Sequence, residues 1–342
     1  MSQEIEESSR TVSPGAPPNS RSSGSPRSTL SRLSDTFLDN IVWFLLVAIA
    51  VGAGLLSPFF LTLANLQNVL VQTTVLGLVA LAVGITLLIA EIDLSVVGNL
   101  VFSGLVAILL VRADWPALIA IVAAVATGAA IGAINGISVA KLKMNSLIGT
   151  LAMGLVLTGA VLAITKGQTL TVASATYGYV GNATVGGWPV MPLALVIAFA
   201  VAALVASRTV WGRQLYATGG NLRAAKAAGI RTERVRIQAF VVAGACAGLA
   251  GFLQTSYLTG VNPTVGSDLL LYAVAAPVIG GVSLFGGEGR VSGLLGGAIL
   301  ITVVQVALQI VNVSAYFVQI VGGGLILFAV FVDAVRIRRR AA

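Results

Sequence analysis

The chain has 342 residues, of which 57% are apolar and 9% charged, and its mean hydropathy is +0.98. A soluble domain carries about a quarter charged residues, so this composition excludes a soluble globular enzyme and specifies a membrane protein. The formal net charge of +8 does not point to nucleic acid, because the basic residues sit in loops that flank apolar runs.

Residues 1–35 are rich in Ser, Pro and Arg and poor in apolar side chains, which is the composition of a disordered tail. The first apolar run comes late and is span-length, unlike a cleavable signal. From Phe37 onward the pattern predicts spans near 37–57, 68–90, 94–111, 116–139, 145–165, 191–207, 237–258, 269–283, 291–310 and 315–335. That is about ten helices, the number the length allows. The second, third and eighth hold glycines and charges and are expected to be broken. The fold class is therefore an all-α membrane protein, with a transmembrane domain over 36–336, a polar loop at 208–236 and a basic tail at 337–342. The 39 glycines suit close helix packing in lipid.

Lys and Arg set the orientation. The 208–236 loop holds seven basic residues and one acid, Glu233, and the C-terminus holds Arg336, Arg338, Arg339 and Arg340. With an even number of spans and the N-terminus inside, these and Lys141 and Lys143 are cytoplasmic, leaving Arg112 and Lys166 outside. Asn145-Ser146-Leu147 before the fifth span parallels Val313-Ser314-Ala315 before the tenth, with Gly154 and Gly322 at equal offsets. The hypothesis this raises is an inverted repeat of helices 2–5 and 7–10.

Three polar islands interrupt the apolar pattern. In Ala90-Glu91-Ile92-Asp93-Leu94-Ser95, two carboxylates lie between apolar runs, where burial costs several kcal/mol. An interfacial position with Asp93 near a helix N-terminus is one reading. A polar cavity used by a solute is another, with Glu91, Asp93, Ser95 and Asn99 as candidate pathway residues. Ion coupling through Glu91 and Asp93, as in a secondary transporter, is a third. In the second island, Leu215 to Ile230, Asn221 suits a helix N-cap, Leu222 to Ala228 are mostly helix formers, and Gly229 suits the left-handed residue that ends the helix. Two turns alone are marginal in water, so the segment is expected to dock on a partner unless it is an ordinary basic loop. The third island, Val278 to Gly293, contains Gly280, Gly281, Gly286, Gly287, Gly289 and Arg290. Its glycines permit a tight turn between spans. No Lys followed by Ser or Thr comes after them, so it is not a phosphate loop.

The chain has no histidine and one cysteine, Cys246. His-based catalysis, His-ligated metals and cysteine clusters are thereby excluded. No Gly-x-Ser-x-Gly elbow is present.

All three islands resemble segments of the bacterial ABC sugar-import permeases of the ribose/xylose type. Ile92-Asp93-Leu94-Ser95-Val96, the Leu215–Ile230 loop and Gly280-Gly281-Val282-Ser283-Leu284-Phe285-Gly286-Gly287-Glu288-Gly289-Arg290 carry the likeness, together with Ser57-Pro58-Phe59-Phe60-Leu61-Thr62. The chain departs from the family pattern at Glu91, where Gly is usual, at the extra Val97, and at Met144-Asn145-Ser146, where Pro-Phe-Ile is common. Loss of that proline is expected to relax the start of span five. The resemblance implies a transport subunit without catalytic residues or a bound cofactor, moving a monosaccharide or related polyol. ATP and Mg would be bound by a separate ATPase. The coupling helix would contact that ATPase through Gly219, Gly220, Asn221, Leu222, Ala224, Ala225, Ala228 and Gly229. Other implied partners are a second permease subunit in a homo- or heterodimer, an extracytoplasmic sugar-binding protein and membrane lipid, and the location is the bacterial plasma membrane. The competing classes are an ion-coupled secondary transporter and a non-transporting scaffold.

Overall fold

The computed structural model describes residues 41–263, 267–314 and 316–325, with 327, 330 and 331. The expected tails, 1–35 and 337–342, and the end of the tenth span lie outside the described residues. The helices are α1 (Ile41–Leu56), α2 (Leu63–Leu88), α3 (Val96–Arg112), α4 (Ala117–Ala140), α5 (Ser146–Thr165), α6 (Ala175–Asn182), α7 (Met191–Arg208), α8 (Val210–Gly220), α9 (Leu222–Ala227), α10 (Thr232–Leu258), α11 (Ser267–Ile279), α12 (Val291–Ile310) and α13 (Tyr316–Leu325). Among the described residues, α2, α4, α5, α7, α10 and α12 are long and apolar enough to cross a membrane, and α1, α3, α11 and α13 are shorter apolar helices. Among the described residues, extended structure is limited to two-residue pairs, β1 (Leu170–Thr171) with β4 (Gly260–Val261) and β2 (Thr184–Val185) with β3 (Trp188–Pro189).

Two helices form the centre. Helix α2 is buried without interruption from Leu76 to Ile89, as a helix that is apolar all round must be when neighbours cover every face. Helix α10 packs most extensively on α4, and then on α3 and α2, while α2 packs on α10, α12, α11 and α7. Helices α5 and α7 are as apolar but leave Leu155, Val156, Leu193 and Val196 exposed, which is the surface a lipid environment accepts.

The α4–α10 contact is set by small residues. Gly128, Gly132 and Gly136 recur every fourth residue on α4 and meet Gly244, Phe240 and Ile237 of α10, while Gly248 meets Ala124. The numbers fall along one helix as they rise along the other, so the pair is antiparallel. A Cβ on Gly132 would overlap the Phe240 carbonyl. Dispersion between closely approaching backbones is the main attraction available where no water is displaced.

Several boundaries differ from the sequence expectations. Helix α2 begins at Leu63 rather than near 68, because the Thr62 hydroxyl caps it by accepting from the Asn65 N–H at 3.3 Å. The breaks expected inside spans two, three and eight lie between helices instead, at 89–95 and 280–290. The eighth span ends at Ile279 rather than near 283, two residues beyond Pro277. The 208–236 loop holds two helices, not one. Helix α8 escapes notice in the sequence because three of its eleven residues, Gly212, Gly219 and Gly220, are poor helix formers. Asn145 offsets the missing proline before α5, since its side chain accepts the Ile148 N–H at 3.2 Å.

Candidate functional site

The three polar islands, far apart in sequence, meet at the Lys- and Arg-rich end of the bundle. Gly219, at the end of α8, lies against the Leu88 carbonyl at the end of α2 and the Gly287 amide of the 280–290 turn. The Gly287 N–H donates to the Leu88 carbonyl at 3.0 Å. Gly287 has φ +74° and lies on Gly220, and Gly286, at φ +84°, lies on Ala90. Any side chain at 219 or 287 would drive backbone into backbone. The Tyr216 hydroxyl donates to the Gly289 carbonyl at 3.0 Å, fastening α8 to the same turn. Burial pushes the Tyr216 phenol above its ordinary value near 10.0, which keeps it a neutral donor. The rest of the turn is backbone-braced. Gly280 packs on Gly293 of α12, Gly281 has φ +87°, and the Ser283 N–H donates to the Glu288 carbonyl at 3.0 Å. Arg290 immediately precedes α12 as its N-cap residue.

The short helix α9 follows directly. The Asn221 side chain accepts the Ala224 N–H at 3.0 Å, and Gly229 sits at φ +80°. The Ile230 N–H donates back to the Ala225 carbonyl at 3.0 Å and closes the helix end. No atom lies within contact of a Cβ at Gly229, so only its backbone conformation selects glycine there. On α9 only Ala225 is buried. Leu222, Ala224 and Ala228 are exposed, and the described chain places nothing over them.

The 89–95 break is held by side chains. Glu91 forms an ion pair with Arg236 of α10. Asp93, 1% exposed, accepts the Ser95 N–H at 2.9 Å and the Ser95 hydroxyl at 2.6 Å. Asn135 of α4 donates its amide to the Ser95 hydroxyl at 2.7 Å. The Leu94 N–H donates to the Thr150 hydroxyl of α5 at 2.9 Å, and the Ile92 N–H reaches Ser146 at 3.4 Å. Asn99 donates to the Gly128 carbonyl at 3.1 Å and accepts from Ser103 at 2.9 Å. Buried polar groups are tolerable when partnered in this way. Asp93, Ser95 and Asn99 thus face protein, while Glu91 is drawn into the junction beside Ala90.

Sequence reasoning missed Leu88, Arg236, Asn135 and Thr150. Leu88 and Arg236 carried no signal, since one acts through its carbonyl and the other is one cation among seven in its loop. Asn135 did carry one, as an amide inside an apolar span.

An apolar helix bundle with six helices long enough to cross a membrane among its described residues, and two helix breaks meeting at one end, is the architecture of a multi-pass membrane protein. Residues 65–330 match the family described as the permease component of the branched-chain amino acid transport system, and the chain belongs to that family. It is 38% identical over 298 residues to the ribose import permease protein RbsC of Escherichia coli, covering 84% of this chain and 91% of the relative. It is 34% identical over 289 residues to the L-arabinose ABC transporter permease protein AraH of Azospirillum brasilense, covering 84% and 85%. It is 30% identical over 343 residues to the xylose transport system permease protein XylH of Escherichia coli, covering 82% and 87%. The protein is a multi-pass permease of the plasma membrane.

Proposed function

We propose that this chain is the membrane-spanning subunit of an ABC importer that moves a monosaccharide or related polyol, with ATP and Mg handled by a separate ATPase. The observation that carries the proposal is the capped, uncovered α9 helix, whose preceding residues Gly219 and Gly220 rest on both helix breaks. A partner pushing on α9 would move the end of α2 and the 280–290 turn together. Gly219, Gly220, Asn221, Leu222, Ala224, Ala225, Ala228 and Gly229 form the coupling segment in this reading. Names of the relatives, which specify ribose, arabinose and xylose permeases, support the solute class.

Ten spans, α1–α5, α7 and α10–α13, with both termini cytoplasmic, belong to the same proposal. The packing supports the inverted repeat too. Helix α10, first of the second set, packs on α3 and α4, and α2, first of the first set, packs on α11 and α12. Glu91, Asp93, Ser95 and Asn99 enter the proposal in narrower form, as the brace of the break flanking the pathway. Ion coupling through Glu91 and Asp93 has less support, because an arginine neutralises the first acid and serine hydrogen bonds hold the second. Residues 1–35 are proposed as a dispensable tail, and a 2–30 deletion is expected to support normal transport. A second permease subunit and an extracytoplasmic binding protein complete the assembly.

The test is a mild-detergent pull-down of the tagged chain with mass spectrometry. Recovery of a Walker-motif ATPase in roughly equal amount, lost when 221–229 is disrupted, is expected. Recovery of the chain alone, under conditions that preserve a known ABC complex, would sink the reading.

A further inference from the structure

A basic cleft lies beside the coupling segment, at the Lys- and Arg-rich end of the bundle. A cavity of about 770 Å³ opens there between the end of α4, the end of α9 and the first turns of α10. Ligand sites commonly enclose about 300–1,000 Å³. Among the described residues, Lys141, Lys226, Arg231 and Arg234 line it with one acid, Glu233, which leaves an excess of three positive charges. None of these four cations forms an ion pair among the described residues, while neighbouring Arg236 is taken by Glu91.

The helix that starts in the cleft adds to its positive charge. Arg231 holds the N-cap position of α10 and makes no side-chain cap, since a guanidinium has no acceptor to offer the first-turn amides. A helix N-terminus is the positive end of the dipole, which favours anions and disfavours cations. Glu233 is the single acid in that turn. The remaining charge has no counter-charge within the described chain.

The cleft also borders the apolar surface of the bundle. Lys141 directly follows the last residue of α4, and Ile137 and Ile134 precede it by four and seven residues, so the three share a face. Both isoleucines are exposed, Ile134 by 52% and Ile137 by 42%. A cation at the end of an exposed apolar stripe complements a molecule with an anionic head and an aliphatic tail. An acidic protein segment would meet the cations and leave the stripe uncovered.

We propose that this cleft seats the headgroup phosphate of an anionic phospholipid from the leaflet at this end of the bundle, with an acyl chain along Ile137 and Ile134. Basic pockets between membrane helices take acidic headgroups in this way. Lys226 belongs to α9, whereas Lys141 and Arg234 sit at the ends of α4 and α10, so one bound headgroup ties α9 to the bundle. The lipid site follows from the membrane placement alone, and its effect on coupling rests on the importer reading.

The test begins with the full chain purified in mild detergent and native mass spectrometry. Phosphatidylglycerol is expected to bind several-fold more tightly than phosphatidylcholine with the same acyl chains, and added salt is expected to narrow the gap. Equal retention of the two lipids by the wild type would overturn the proposal without any variant. Combined Lys141→Gln, Arg231→Gln and Arg234→Gln substitutions are expected to abolish the preference, and Lys166→Gln, away from the cleft, to keep it. Displacement of phosphatidylglycerol by an excess of inorganic phosphate would assign the cleft to a free anion and overturn the lipid. A triple variant that keeps its lipid preference but loses a co-purifying ATPase would make the cleft a protein-docking face, and would overturn it too. In the reconstituted importer, exchanging phosphatidylglycerol for phosphatidylcholine is expected to lower import relative to ATP hydrolysis several-fold in the wild type and not in the triple variant. An unchanged ratio would overturn the tie to α9. Failure of the importer reading would look different, because no ATPase would co-purify while the lipid preference of the chain alone persisted.

Discussion

The two helix breaks that meet at the coupling segment are built from opposite materials. The 89–95 break is braced by side chains, through Glu91 to Arg236, Asp93 to Ser95 and Asn135, and the Leu94 amide to Thr150. The 280–290 turn is braced mainly by close backbone approaches, with Gly280 on Gly293, Gly286 on Ala90 and Gly287 on Gly220, beside the Tyr216 hydroxyl on the Gly289 carbonyl. Both arrangements satisfy the backbone groups that a broken helix frees. Side-chain bracing fixes one break to α4, α5 and α10, whereas glycine contacts allow backbone surfaces to stay in register with α8. The first break is thereby tied to the bundle, and the second to the segment that leads into α9.

That contrast makes substitutions in the glycine break costlier than those in the polar break. Gly287→Val is expected to have the largest effect, because it puts a β-branched residue at positive φ and drives it into Gly220. A cost of about 3 kcal/mol or more follows, to be read as loss of folded protein by size-exclusion chromatography in detergent. A monodisperse variant with full transport would show that the two surfaces do not need contact. Asp93→Ala comes next. It strips an acceptor from two buried donors, at about 1–3 kcal/mol each, and is expected to lower the thermal unfolding temperature and transport together. Unchanged values would mean that Thr150 and Ser146 hold the break unaided.

Gly229→Val tests coupling apart from packing. Only its φ of +80° is at stake, with nothing within reach of the new side chain, so the cost is about 1–2 kcal/mol. The protein should stay in the membrane while import falls relative to ATP hydrolysis. A wild-type ratio of the two rates would show that the capped end of α9 does not govern coupling. Glu91→Gln is expected to be mildest, since a carboxamide of the same size can still accept a hydrogen bond from Arg236. Import measured at low and high salt should differ less in this variant than in wild type. An effect as large as that of Asp93→Ala would place the ion pair at the heart of the mechanism.

Much of the architecture was legible in the chain. Periodic apolar runs fixed the class of fold, and Asn221 and Gly229 marked both ends of α9, because caps are local chemistry. Asp93 and Ser95 stood out as polar residues in an apolar setting, but nothing in their spacing showed that they satisfy each other rather than a solute.

The long continuous apolar runs by themselves determined that this is a helical membrane protein, because hydrocarbon leaves only helices and closed barrels to satisfy the backbone, and barrel strands alternate apolar with polar residues. Motif spacing determined the three polar islands and the turns within them, because capping and positive φ depend on neighbouring residues alone. Only the tertiary structure decided that the islands converge. The contacts of Gly219 with Leu88 and Gly287 bridge 131 and 68 residues of sequence and are made by carbonyls, amides and missing side chains. A sequence writes side chains, and backbone atoms are the same at every position, so a junction made of backbone becomes visible only when the chain has folded.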